Sequence, residues 1–126
     1  MGAQILIIED NDMSFVLADY LLRQAGYSTR RATDGESGVQ AALENTAAAV
    51  LCDLDLPGMD GYEVAASLRQ NAQWRAVPLL AFTADTPGVT DRALATGFSG
   101  YLFKPVDPQT FVATLDRFMV TDTRAS

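Results

Sequence analysis

The sequence predicts an α/β fold: a parallel sheet of five strands with helices on both faces. Three observations carry the prediction. Short continuous apolar runs recur, as strands buried on both faces of a sheet require. Segments with apolar residues at helical spacing alternate with them, giving five strand–helix units without repeats or linkers. Capping and turn residues stand at the joins between the two kinds of segment. Such alternation makes a parallel sheet. Right-handed crossovers then leave few topologies, of which the flavodoxin-like (βα)5 order 2-1-3-4-5 is the commonest for five units.

The elements follow in order. Ile5-Leu6-Ile7-Ile8 is the first buried strand. Residues 13–25 form a helix whose apolar side carries Val16, Leu17, Tyr20, Leu21 and Ala25, with Gly26 as its stop. Residues 27–32 alternate weakly, as a strand near a sheet edge would, and Asp34 caps a helix bearing Val39, Ala42 and Leu43. Residues 48–52 are the third strand. Residues 60–69 are a helix with Tyr62, Val64, Ala65 and Leu68 inward and Asp60 as N-cap. Residues 78–82 are the fourth strand. Thr86 and Pro87 supply the N-cap and first turn of a helix that ends near Gly97. Residues 101–103 are the fifth strand, and Asp107-Pro108 opens a last helix with Phe111, Leu115 and Phe118 inward.

Composition bounds the function. The chain has 126 residues, 9 basic against 16 acidic side chains, a net charge of −7 and no histidine. This is one domain, residues 1–126, with a core over about 4–119 and a tail at 120–126 too short for a DNA-binding or catalytic output domain. The acidic balance argues against nucleic acid and anionic membrane as partners. Without histidine there is no Ser-His-Asp or Cys-His pair, and with Cys52 alone there is no internal disulfide and no structural zinc site within one chain. No basic region precedes the apolar run at 5–8, Gly2 lacks a lipidation pattern, and no stretch of about 18 apolar residues exists. These point to the cytoplasm.

In a sheet of this topology the ligand site lies at the carboxyl ends of the strands. The first strand delivers Glu9 and Asp10, followed by Asn11 and Asp12; the third delivers Asp53, with Asp55 beyond; the fourth Thr83; the fifth Lys104. The first and third strands are neighbours, so Glu9, Asp10 and Asp53 converge. Two carboxylates about 4 Å apart repel by roughly 4 kcal/mol at an effective dielectric of 20. An oxygen-only acidic cluster selects a hard divalent cation, and Mg²⁺ suits a shallow site that keeps several waters. Asp10 and Asp53 are the direct ligands, with Glu9 acting through water. Thr83 and Lys104 bring a hydroxyl and a cation suited to phosphoryl oxygens, which makes Asp53 the nucleophile of an aspartyl phosphate.

Taken together, Glu9-Asp10, the run Asp53-Leu54-Asp55-Leu56-Pro57-Gly58-Met59-Asp60-Gly61, Thr83-Ala84 and Lys104-Pro105 resemble the response-regulator receiver domain of bacterial two-component signalling, from Gln4 to about Met119. The resemblance implies that Asp53 accepts its phosphoryl group from a phosphohistidine on a histidine kinase or histidine phosphotransfer protein. It implies that the backbone carbonyl of Asp55 joins Asp10 and Asp53 around Mg²⁺. It implies that Lys104 binds a phosphoryl oxygen, and that the Lys104–Pro105 bond is cis. Thr83 would be drawn toward the phosphoryl group and Tyr101 would rotate inward behind it. The surface of the fourth helix, fifth strand and fifth helix would then engage a downstream protein, an output domain or a second copy of the chain.

Other readings stand beside these. A haloacid-dehalogenase-like Mg²⁺ phosphatase is the alternative, because Asp53-Leu54-Asp55 imitates its nucleophile and acid pair; Leu56-Pro57 and the lack of room for a cap domain count against it. A flavin site is disfavoured because Glu9-Asp10-Asn11-Asp12 would repel its phosphate. Tyr101 is either the reporter of a switch or a β-forming aromatic that half-covers the sheet edge. Asp55 offers a side chain that steers water during dephosphorylation, and small Ala84 leaves the site open. Cys52 points opposite to Asp53 into the core, and Trp74 packs on the surface of the loop before the fourth strand.

Overall fold

Parallel pairing of five short strands, the central three buried on both faces, is the backbone of the computed structural model, which describes residues 3–125 and the side chains of 3–119. Its elements are β1 (Gln4–Ile8), α1 (Asp12–Gln24), β2 (Ser28–Ala32), α2 (Gly35–Glu44), β3 (Ala49–Asp53), α3 (Gly61–Arg69), β4 (Leu79–Ala84), α4 (Val89–Thr96), β5 (Gly100–Lys104) and α5 (Phe111–Ala125). A single 3-10 turn, Ala72–Trp74, follows α3. All four strand pairings are parallel, in the predicted order β2-β1-β3-β4-β5. The expectations for Met1 and Gly2 lie outside the described residues, as do the side chains of 120–126.

Alternation along each strand divides the core in two. Leu6, Ile8, Val50, Cys52, Leu79 and Ala81 face α2, α3 and α4. Ile5, Ile7, Ala49, Leu51, Leu80 and Phe82 face α1 and α5. The register sets the functional rim. Ile8 pairs with Cys52, which places Glu9 beside Asp53, while Ala84 pairs with Lys104. By the same alternation Glu9, Asp53 and Lys104 project toward the α1/α5 side, and Thr83 toward the α3/α4 side with Tyr101.

Local signals account for the helix starts. Asn11 accepts from Ser14 N at 2.9 Å and Asp34 from Ser37 N at 2.7 Å. Asp60 and Glu63 form a reciprocal capping box at the head of α3. Gly26, with φ of 96°, terminates α1 as anticipated.

Several expectations need correction. The inward face of α1 is Ala18 and Leu22, flanked by Phe15 and Leu21. Val16, Leu17 and Tyr20 are exposed instead, together with Met13. The helix carries two apolar stripes, and the sheet takes the one with the small Ala18, which permits close approach. Leu43 is likewise exposed, because Gly35, Gly38 and Ala42 let α2 sit tightly on the sheet. Trp74 is fully buried rather than superficial, since the 3-10 turn folds it into the α3/α4 layer. The N-cap of α4 is Gly88, in the left-handed region at φ 79°, not Thr86, whose carbonyl instead accepts from Val89 N. β2 is half-buried along most of its length rather than alternating. A turn at 108–110 precedes α5, and that helix runs to Ala125 through the stretch read as a tail.

Candidate functional site

Apolar strands ending in charged residues force those charges onto the carboxyl rim of the sheet, since the interior cannot take them unpaired. Glu9, Asp10 and Asp53 bring carboxylate oxygens within 4.8 Å of one another. Glu9 is fully buried and Asp53 nearly so, whereas Asp10 is exposed. Lys104 Nζ lies 2.6 Å from Glu9 Oε1 and 3.5 Å from Asp53 Oδ2, and 4.9 Å from the centre of the Phe82 ring. One ammonium therefore spans two carboxylates and sits closer to the buried Glu9. Burial raises the pKa of Glu9, and the hydrogen bond from Lys104 opposes that rise.

The backbone completes the pocket. Asp55 N donates to Asp53 Oδ1 at 3.0 Å, and Asn11 N donates to Glu9 Oε2 at 3.1 Å. The Lys104–Pro105 peptide is cis. Thr83 is buried at the end of β4, and its hydroxyl makes only a long bond of 3.4 Å to the Ala84 carbonyl; Ala84 itself is exposed. Tyr101 is half-buried on the edge strand, its ring 5.1 Å from that of Phe103. Cys52 is wholly buried on the opposite side from Asp53, and burial raises its thiol pKa.

Two glycines hold the pocket's walls together. A Cβ on Gly61 would fall 2.4 Å from the Asp53 carbonyl oxygen, and one on Gly35 would fall 2.1 Å from that of Met59. The starts of α2 and α3 thereby press directly on the chain that leads away from Asp53 as far as Met59.

Sequence reasoning missed the groove beside this site. Met13, Val16, Leu17 and Tyr20 from α1 line a cleft of about 660 Å³ whose far wall is Lys104, Pro105 and Val106. The spacing 13, 16, 17, 20 marks one helical face in the sequence; only the packing shows that the face points away from the sheet.

A parallel five-stranded sheet with an acid trio and a lysine on its carboxyl rim defines the receiver class of two-component signalling proteins. The profile of the response regulator receiver domain matches residues 5–116, and the chain belongs to that family. It is 29% identical over 120 residues to the polar-differentiation response regulator DivK of Brucella anthropi, covering 94% of this chain and 98% of that one. Among solved structures, a putative response regulator from Chloroflexus aurantiacus superposes with a TM-score of 0.91 at 32% identity, over 95% of this chain and 99% of its own. The receiver domain of the Pseudomonas aeruginosa sensor histidine kinase PA1611 superposes with a TM-score of 0.88 at 31% identity, over 95% and 99%, and has a magnesium ion coordinated in its active-site cleft. Membership in this family displaces the phosphatase reading of Asp53-Leu54-Asp55. Among the described residues no helix is long and apolar enough to cross a membrane.

Proposed function

We propose that this receiver takes a phosphoryl group onto Asp53 from a phosphohistidine of a partner protein and passes the event to its α4-β5-α5 surface. The observation that carries the reading is the convergence of Glu9, Asp10 and Asp53 within 4.8 Å around the Lys104 ammonium. Three carboxylates against one cation leave excess negative charge in oxygen ligands alone, a donor set that fits Mg²⁺. Asp10, Asp53 and the Asp55 carbonyl would hold the ion, with Glu9 acting through water. Bound there, Mg²⁺ would offset the charge between the carboxylate and the incoming phosphoryl oxygens.

In the transfer, an Asp53 oxygen forms a bond to phosphorus while the phosphorus–nitrogen bond of the donor breaks. The electron pair of that bond stays with the leaving imidazole. Lys104 takes up a phosphoryl oxygen, and Thr83, whose hydroxyl is weakly engaged, turns toward another. Tyr101, on the same side of β5 as the exposed Phe103, follows Thr83 inward. The downstream target, an output domain or a second copy then meets an altered surface, a population shift between two packings. Since residues 1–126 include no histidine, the donor histidine lies outside this domain. The apolar α1 face beside Lys104 and Pro105 gives that donor a seat next to Asp53. This chemistry belongs to the cytoplasm.

Incubation with acetyl phosphate tests the reading by mass spectrometry. The wild-type chain should gain one phosphoryl group only with Mg²⁺ present, and Asp53→Asn should gain none. Labelling that persists in Asp53→Asn, or that ignores chelation of the metal, would overturn it.

A further inference from the structure

Asp10 is the exposed member of the acid trio and reaches it from the loop between β1 and α1. Among the described residues no hydrogen bond is made to its carboxylate, so its place depends on the backbone on either side. Within the loop, Asn11 N donates to Glu9 Oε2 and Asn11 caps α1. From outside the loop, its backbone is held by β2. Glu9 N donates to the Ala32 carbonyl at 2.9 Å. The other contact from β2 is one side chain, Arg31. Its Nε donates to the Glu9 carbonyl oxygen at 3.2 Å, on the peptide that leads into Asp10. Its Nη2 donates to Asp12 Oδ1 at 2.8 Å. Its guanidinium carbon lies 4.4 Å from the centre of the Phe15 ring. The three anchors, at residues 9, 12 and 15, bracket Asp10.

Taken singly, each contact is ordinary. The Arg31–Asp12 pair has an Asp12 side chain that is 84% exposed, and such pairs add little. Their value lies in being made by one planar fork, which serves a carbonyl, a carboxylate and an aromatic face at once. A lysine ammonium in the same place is a point charge and cannot meet all three.

We propose that Arg31 is a positioning residue for metal binding, presetting the 9–12 loop so that Asp10 shares a divalent cation with Asp53. The inference rests on the reading of the acid trio as a Mg²⁺ site. Two effects of Arg31 oppose each other there. Its charge repels a divalent cation, whereas its fork orders a ligand before the cation arrives. Ordering dominates.

The opposition makes the test decisive. Arg31→Lys keeps the charge and breaks the fork; Arg31→Met removes both. Mg²⁺ titration of the unphosphorylated protein, followed through the amide resonances of Asp10 and Asn11, should show a dissociation constant raised roughly 10-fold in both variants. An unchanged constant in Arg31→Lys, or tighter binding in Arg31→Met, overturns the proposal. Urea unfolding in EDTA establishes that the variants fold, and Arg31→Lys alone decides should Arg31→Met not do so. Phosphoryl uptake from acetyl phosphate supplies a second readout. Both variants should need more Mg²⁺ for half-maximal rate yet reach the wild-type rate at saturation, and a plateau that stays low overturns the proposal. A wild-type chain that binds Mg²⁺ but takes up no phosphoryl group defeats the proposed function while leaving the Arg31 titration readable. One that binds no Mg²⁺ defeats both.

Discussion

At the carboxyl ends of the strands Glu9, Asp10, Asp53 and Lys104 crowd together with more negative than positive charge. At the amino ends of β4 and β5 a single guanidinium, Arg69, meets more acceptors than any other side chain described here. It donates to the carbonyls of Gly97 at 2.8 Å and Val77 at 2.9 Å, to those of Trp74 and Arg75, and to Ser99 Oγ at 3.0 Å. Ser99 Oγ in turn accepts from Leu79 N. Arg69 thus ties the end of α3 to the entries of both strands and the end of α4, and burial lowers its pKa without leaving it unpartnered. Both ends bury charge. One end answers it within the chain and so serves folding; the other leaves part of it unanswered and so is ready for a ligand.

The largest effect that would sharpen this contrast is loss of Lys104. Lys104→Met should slow phosphoryl uptake from acetyl phosphate about 100-fold or more, the scale of a lost charge-stabilising donor, in a chain that still folds. Stopped-flow or timed mass spectrometry reads it, and a near wild-type rate would remove Lys104 from the chemistry. Arg69→Met should do the reverse. Its loss leaves main-chain carbonyls unanswered and should lower the unfolding free energy by about 3 kcal/mol in urea titrations, with the Mg²⁺ affinity of the folded protein unchanged. A fall in metal affinity would mean that the two ends of the sheet are coupled.

Next in size is the metal itself. At a hundred times its dissociation constant, Mg²⁺ should stabilise the fold by about 2.7 kcal/mol, reversed by EDTA and absent in a chain carrying Asp10→Asn with Asp53→Asn. The smallest effect concerns an acid at the same rim that is fully answered. Hydrogen bonds from Ser37 hold the Asp34 pKa below its ordinary 3.8. A lowered carboxylate pKa gives stability that is present above the unfolded value and is lost as pH falls through the folded one. Asp34→Asn keeps an N-cap side chain but should flatten that part of the acid unfolding curve below pH 3.8, with little change at neutral pH. An unaltered acid limb would remove Asp34 from it.

These contrasts also explain what could be read before any coordinates. The central strands β1, β3 and β4 were legible because both faces are buried, which makes them nearly unbroken apolar runs, and the acids and lysine at the rim were legible because they directly follow strands. Asp34 and Asp60 declared themselves as caps because the bonds they accept come from three residues ahead. The outward face of α1 was not legible, since periodicity finds apolar stripes without saying which of two the sheet will cover. Trp74 was misplaced because a single 3-10 turn has no period to detect. Arg69 was invisible as a hub because most of its acceptors are main-chain oxygens, which every residue carries, drawn from segments up to about 30 positions away.

Gly35 and Gly61 carry a consequence for anyone who would remodel this pocket. Neither offers a group that could bind, donate or react, yet each stands where one extra carbon would collide with the peptide chain that runs from Asp53 to Met59. In a substitution scan they should therefore sort with the acids and not with the scaffold. Part of the specificity of this rim is encoded in blank positions, and an inventory of functional groups alone would pass over them.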